Sequence, residues 1–164
     1  MLDALGALEE SDDARVVPFL LGVIGDSELP GLARIEVCEI LKERDHGSRD
    51  ERRSIARALA AVLLDDDHED VRGYAAGALA SFLDESVARD ALEKVVLDTT
   101  ADRGVRHNAV FAVEQGGPTP WSERLLRQLE VDPDLARMAR RILGEWDPER
   151  GGDGEDEDDD GSDA

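Results

Sequence analysis

The sequence predicts an all-α protein, a right-handed α-solenoid (α-α superhelix) of about four helix pairs. Apolar residues recur at spacings of three and four along most of the chain, whereas period-two alternation with aromatic or β-branched enrichment is missing. A nine-residue pattern at 71–79 returns at 105–113, and looser copies begin at residues 33 and 135. Intervals of this length are typical of a repeat made from two helices.

Polar turns and helix-capping signals divide the chain into short helices. Ser48 opens a capping box, and Asp70 is a candidate N-cap because its side chain can accept from first-turn N–H groups. Pro120 and Pro133 stand where a first helical residue is expected. Short connections favour antiparallel neighbours. The predicted helices span 2–9, 13–25, 29–44, 49–65, 70–83, 86–98, 103–115, 120–130 and 133–146.

The repeated helices carry unusually small side chains on their apolar stripe. Ala75, Ala78 and Ala109 allow neighbouring helices to approach closely, and larger residues such as Phe82 fill the spaces between layers. Each helix pair then buries its stripe against the next pair, so stability is a sum of nearest-neighbour interfaces.

The charge distribution separates a body from a tail. The chain has 164 residues and a formal net charge of −21, from 40 acidic and 19 basic residues. Residues 151–164 contain eight acids and no base, a composition that cannot bury enough apolar surface to order itself. We therefore expect a repeat domain at 1–147 and a disordered acidic tail at 148–164.

The same totals bound the partners and the compartment. A strongly acidic chain is unsuited to binding nucleic-acid phosphates, so an electrostatic partner is expected to be a basic protein. Arginine outnumbers lysine 17 to 2, which suits a GC-rich genome, a salt-rich cytoplasm (a halophile), or both. A single cysteine, no signal peptide and no membrane-length apolar run predict a cytoplasmic protein that does not engage a membrane.

Several segments resemble HEAT-like repeats, particularly the short class first associated with phycobilisome lyases. Residues 13–21, Asp-Ala-Arg-Val-Val-Pro-Phe-Leu-Leu, are similar to the opening of that class's second helix. The Val-Arg starts at 71 and 105 are similar to its first helix, and the likeness covers roughly residues 1–147. The resemblance implies that the second helix of each pair forms a concave binding face, and that Asp70 and Arg72 stabilise turns.

The sequence contains few residues in the patterns typical of catalytic or metal sites. Deoxyhypusine hydroxylase is a HEAT-like enzyme in which four His-Glu pairs hold two irons, whereas this chain has three histidines, His46, His68 and His107, and one His-Glu pair. Three histidines and one His-Glu pair are too few for a di-iron site of that type, which is therefore excluded. The acidic run 65–70 lacks the glycine and glutamate positions of an EF-hand. We expect no metal, no cofactor and no catalytic residue.

The sequence thus favours a non-catalytic HEAT-repeat scaffold or adaptor that binds another protein through its concave face. Two alternatives remain open: an acidic immunity or inhibitor protein that covers a basic toxin or nuclease, and a bilin lyase-like accessory protein. The candidate protein-binding residues are Arg53, Arg57, Glu93, Lys94, Tyr74 and Trp121. A second candidate surface, for the acidic tail or a partner, comprises Arg124, Arg127, Arg137, Arg140 and Arg141.

Overall fold

The computed structural model describes residues 8, 11, 13–44 and 48–147. Apart from residue 8, the predicted helix 2–9 lies outside the described residues, as do His46 and the predicted tail 148–164. The chain divides into two compact units, the first unit, Met1–Gly117, and the second unit, Pro118–Ala164.

The described residues form eight α-helices and no β-strand, which confirms the all-α solenoid class. Six helices belong to the first unit and two to the second. Among the described residues, no helix is long and apolar enough to cross a bilayer. The helices are α1 Val16–Gly25, α2 Gly31–Glu43, α3 Arg49–Asp65, α4 Glu69–Ala78, α5 Ser86–Leu97, α6 Arg103–Gln115, α7 Pro120–Leu129 and α8 Ala136–Trp146.

The first unit is a stack of three helical hairpins, α1/α2, α3/α4 and α5/α6. In one layer α1 packs on α3 and α3 on α5, and in the other layer α2 packs on α4 and α4 on α6. The core lies between the layers and is made of aliphatic side chains together with Phe82. The small residues of the repeated stripe, including Ala75, Ala78 and Ala109, are fully buried, as the sequence predicted.

An aspartate and an arginine hold each hairpin together at its turn. The Asp Oδ1 accepts the backbone N–H two residues further on, in the turns at Asp26, Asp66, Asp98 and Asp132. An arginine of the second helix then donates to a carbonyl near the end of the first helix. These four side chains, here called the hairpin arginines, are Arg34 (to Ile24), Arg72 (to Leu63), Arg106 (to Val96) and Arg140 (to Glu130).

The predicted helix starts at 49, 86, 103 and 120 are confirmed. The Ser48 side chain accepts the Glu51 N–H at 3.1 Å, and Thr119 and Ser122 form a capping box ahead of α7. The prediction that Asp70 is an N-cap is wrong, because α4 begins at Glu69. The cause lies upstream, where Asp66 forms the turn and accepts the His68 N–H at 2.9 Å.

Several predicted boundaries differ from the structure by a few residues, and local hydrogen bonding and packing account for two of them. Helix α8 begins at Ala136 rather than at Pro133, because Asp132 Oδ1 accepts the N–H groups of Asp134 and Leu135 and holds those residues in a turn. The helix predicted to run to residue 83 changes to a 3₁₀ segment at Leu79–Phe82. A 3₁₀ turn aligns residues three apart, and both ends of this segment are fully buried.

Candidate functional site

A groove of about 340 Å³ lies in the first unit, where the C-terminal ends of α1 and α3 come together. Its apolar wall is formed by side chains of α1 and α3, and its rim by the acidic turn that follows α3. The lining residues are Ile24, Gly25, Ser27, Arg34, Ala58, Ala61, Val62, Asp65, Asp66 and Asp67. An aliphatic chain fits the wall, and a positive charge fits the rim.

The small residues of α3 create the space for this groove. Ala58 and Ala61 lie three residues apart, on the face of α3 that is not fully buried, so the wall they form is accessible. Larger side chains at these positions would fill the groove. The helix therefore exposes a smooth apolar strip that ends at Asp65.

The electrostatics of the groove favour a cation. Asp65 and Asp67 are located at the rim, and neither side chain is buried. Helices α1 and α3 both end here, and their partial negative charge is offset in part by Arg34 and Arg72, which donate to carbonyls at the two ends. The exposed carboxylates of Asp65 and Asp67 therefore make the rim a site for a positively charged group.

Arg34 and Asp66 form a buried ion pair at the base of the groove. The Arg34 side chain donates to the Ile24 carbonyl at 2.8 Å and to Asp66, and the two side chains are 3% and 6% exposed. Burial alone raises the pKa of Asp66, but the hydrogen bonds from Arg34 and from the His68 N–H outweigh burial and hold it below its ordinary value. Arg34 is thus neutralised by a partner, and the carboxylates at the rim remain available to a ligand.

The structure distributes the predicted protein-binding residues over several surfaces. Arg53 and Arg57 lie on α3, and Glu93 and Lys94 lie on the neighbouring α5. Arg53 Nε is 3.5 Å from Glu85 Oε2. Tyr74 is 44% exposed but lies on α4 in the other layer of the first unit. Trp121 belongs to α7 in the second unit. The described contacts do not bring these six residues together.

The arginines of the second unit fall into two groups. Arg124 and Arg127 lie on α7 and line a groove of about 510 Å³ together with Pro120, Glu123 and Gln128. Arg137, Arg140 and Arg141 lie on α8, where Arg140 donates to the Glu130 carbonyl and Arg141 donates to Glu145 at 2.8 Å.

The described histidines are separated in the fold. His68 precedes α4, and His107 lies in α6 with its Nε2 atom buried and without a hydrogen-bond partner. Over the described residues, no three side chains of His, Cys, Asp or Glu are placed to hold a metal ion. Cys38 is buried, and burial, reinforced by Glu39, raises the pKa of its thiol to about 12. This part of the chain therefore does not supply the clustered ligands of an iron site.

The stacked hairpins and their arginines define an all-helical repeat protein of the α-solenoid class. Among solved structures, the particular likeness is to human deoxyhypusine hydroxylase in complex with glycerol, with a TM-score of 0.63 and 25% sequence identity. The match covers 92% of this chain and 49% of that chain, so the chain spans about half the length of that enzyme. No family model and no curated protein sequence matches the chain.

This likeness overturns the functional prediction made from the sequence. The absence of a catalytic motif favoured a non-catalytic scaffold and a protein that is not an enzyme, and both predictions are wrong because the structural neighbour is an enzyme. The two alternatives, an immunity protein and a bilin lyase-like protein, gain no support from the comparison. Sequence reasoning also missed the groove, because alanines at helical spacing look the same whether they line a core or an accessible wall.

Proposed function

We propose that this chain is the substrate-binding half of an enzyme that modifies a cationic aliphatic side chain of a protein. The observation that carries the proposal is the acidic groove at the ends of α1 and α3, in a chain whose fold is similar to that of deoxyhypusine hydroxylase. Deoxyhypusine, the residue in that enzyme's name, has a long aliphatic side chain that carries amino groups. A substrate of this class combines the apolar length and the positive charge that the groove accommodates.

The assignment of each part of the groove follows from its chemistry. The methylene groups of the substrate would lie along Ala58, Ala61 and Val62, where they replace water on an apolar wall. The ammonium group would lie between Asp65 and Asp67, beside the negative end of α3. The basic protein partner expected from the acidic composition is, in this proposal, the protein that carries the modified side chain.

The proposal assigns the chemical step itself to groups outside the described residues. The two irons that four His-Glu pairs hold in deoxyhypusine hydroxylase require clustered ligands, which the described residues of this chain do not bring together. The chain spans about half the length of the neighbouring enzyme, and the match covers 49% of that enzyme. The role of the present chain is to bind and orient the cationic side chain.

The test is a titration of the full chain with a short peptide that contains deoxyhypusine, followed by amide chemical shifts. We expect shifts concentrated at 24–27 and 58–67. The double variant Asp65→Asn/Asp67→Asn should weaken binding by about tenfold, the sum of two partly screened charge interactions. A peptide with norleucine in place of deoxyhypusine should bind more weakly still, since it has the apolar chain without the amine.

The matched control is Asp50→Asn/Asp90→Asn, which removes the same two charges from exposed positions on α3 and α5 outside the groove. We expect this control to bind like the parent chain. If both double variants lose affinity equally, binding reflects only the net charge of the chain and the groove is not the site. Equal binding of the norleucine peptide would also contradict the proposal.

The proposal also includes a repeat class for the hairpins and a cellular location. We propose that the hairpins belong to the short HEAT-like class, because an aspartate turn and an arginine recur in all four. We also propose a cytoplasmic location, in agreement with a buried, unpaired Cys38.

A further inference from the structure

The second unit differs from the rest of the chain in charge. Residues 118–147 carry five arginines against six acids, a net charge of −1. Residues 1–117 carry 13 bases against 25 acids, and residues 151–164 carry eight acids without a base. The second unit is therefore the part of the molecule that repels a negatively charged segment least.

The groove on α7 concentrates positive charge within this unit. Arg124 and Arg127 are exposed, lie three residues apart on one face of the helix, and line the groove of about 510 Å³. The groove runs along nearly the whole of α7, with Arg127 in the last turn, and only its Pro120 end lies at the partial positive charge of the helix N-terminus. Arg127 also pairs with Glu123 at 3.3 Å, so the lining carries two arginines against one carboxylate, and this net positive charge together with the helix end at Pro120 makes the groove complementary to further carboxylates.

The chain leaves the second unit close to this groove. Helices α7 and α8 form a hairpin joined by a short turn at 130–135, so the end of α8 at Trp146 lies beside the start of α7 at Pro120. Asp153, the first acid of 151–164, follows Trp146 by seven residues, which reach at most about 23 Å when extended. Helix α7, with ten residues, is only about 15 Å long.

We propose that the acidic segment 151–164 docks on its own chain, in the groove lined by Arg124 and Arg127. Its carboxylates pair with the two guanidinium groups and with the positive end of α7. Docking is held by charge, because the segment has no large apolar side chain to bury. The acidic groove of the first unit, with Asp65 and Asp67 on its rim, repels the segment and stays open to a cationic ligand.

A nitroxide spin label on the full chain tests this directly. The variant Ser162→Cys places a reactive thiol within the acidic segment, while Cys38 stays unlabelled because it is buried and its thiol pKa is raised to about 12. At about 10 mM salt the amide signals of 120–127 should lose most of their intensity. At about 1 M salt, where the Debye length is only ~3 Å, the signals should recover.

The groove arginines are tested by Arg124→Gln/Arg127→Gln, which should restore the signals of α7 even at low salt. The matched control is Arg53→Gln/Arg57→Gln, which removes two positive charges one turn apart on α3 in the first unit and should leave the signal loss unchanged. The proposal is overturned if the wild-type chain shows no signal loss in α7, or if the loss persists in the groove variant.

Two further outcomes also decide against it. Signal loss located in the first unit would show that the segment docks elsewhere. Mixing a spin-labelled chain with a second, isotope-labelled chain without the spin label detects contact between copies. Equal signal loss in that mixture would show docking between molecules and would overturn an intramolecular contact.

Discussion

The first and second units contain the same hairpin but place its arginine in different surroundings. Arg34 and Arg106 in the first unit are 2% and 1% exposed and donate to a carbonyl through both Nε and Nη2. Arg140 in the second unit is exposed and donates to the Glu130 carbonyl through Nη2 at 2.5 Å. A hydrogen bond to a charged group stabilises more where water cannot replace it, so the same contact has different energetic weight in the two units.

The largest effect is expected from removing a buried hairpin arginine. Arg34→Ala should lower the free energy of unfolding by about 4 kcal/mol, because it leaves Asp66 buried without its ion-pair partner. Arg140→Ala, the matched change in the second unit, should cost less than about 1 kcal/mol. Urea denaturation followed by circular dichroism measures both. Equal losses would show that burial does not determine the weight of this contact.

The next effect is a pH dependence that belongs to the first unit. The pKa of Asp66 is lowered in the folded chain, so its ionised form stabilises the fold above the ordinary pKa of 3.8. This stability is lost as the pH falls below that value and through the folded pKa. The difference in unfolding free energy between wild type and Asp66→Asn should therefore be large at pH 6 and shrink toward pH 2. A difference independent of pH would contradict the ion pair.

A smaller loss is expected from Gly116→Ala at the end of the first unit. A Cβ at this position would collide with the Leu83 side chain, which must move to make room. We expect a cost of about 1–3 kcal/mol, the range for overpacking. Thermal melting measures the loss, and Leu83→Ala/Gly116→Ala should recover part of it. If the double variant is no more stable than Gly116→Ala alone, the loss does not come from the collision with Leu83.

The smallest effect is a gain in the second unit. Gly144 lies inside α8, and a Cβ added there would have no neighbouring atom within 4 Å, so Gly144→Ala should stabilise the helix by about 0.5–1 kcal/mol. Hydrogen exchange should slow at 120–146 and remain unchanged in the first unit. Gly77→Ala in α4, also with open space around it, is the matched change in the first unit. Slower exchange throughout the chain would show that the two units unfold together.

Local patterns predicted most of the fold. The helix at 49–65 has the bounds predicted from Ser48 and its capping box, and the helix at 103–115 also begins and ends as predicted. These elements depend on residues near in sequence, which a pattern of three-and-four spacing can detect. Two of the errors, at Asp70 and Pro133, occurred where a turn held by a preceding aspartate competes with helix initiation.

The candidate site was harder to predict because it depends on contacts between hairpins. The acidic run at 65–67 is recognisable in the sequence as a turn, but its position beside Ala58 and the end of α1 follows only from packing. Arg34 and Asp66 are 32 residues apart in sequence, so no local pattern pairs them. The functional class was mispredicted because the absence of a catalytic motif was taken to indicate a non-catalytic scaffold, whereas the structural neighbour is an enzyme.

The position of the hairpin arginines bears on how arrays of this type change length. Each hairpin arginine lies nine or ten residues after the residue whose carbonyl it contacts. Both partners of this hydrogen bond therefore belong to the same hairpin. Duplication or deletion of a whole hairpin therefore carries its arginine-to-carbonyl contact along, whereas the Arg34–Asp66 ion pair joins two hairpins and depends on their order. Arrays of very different length can then share one local architecture, and a short chain can match part of a much longer enzyme.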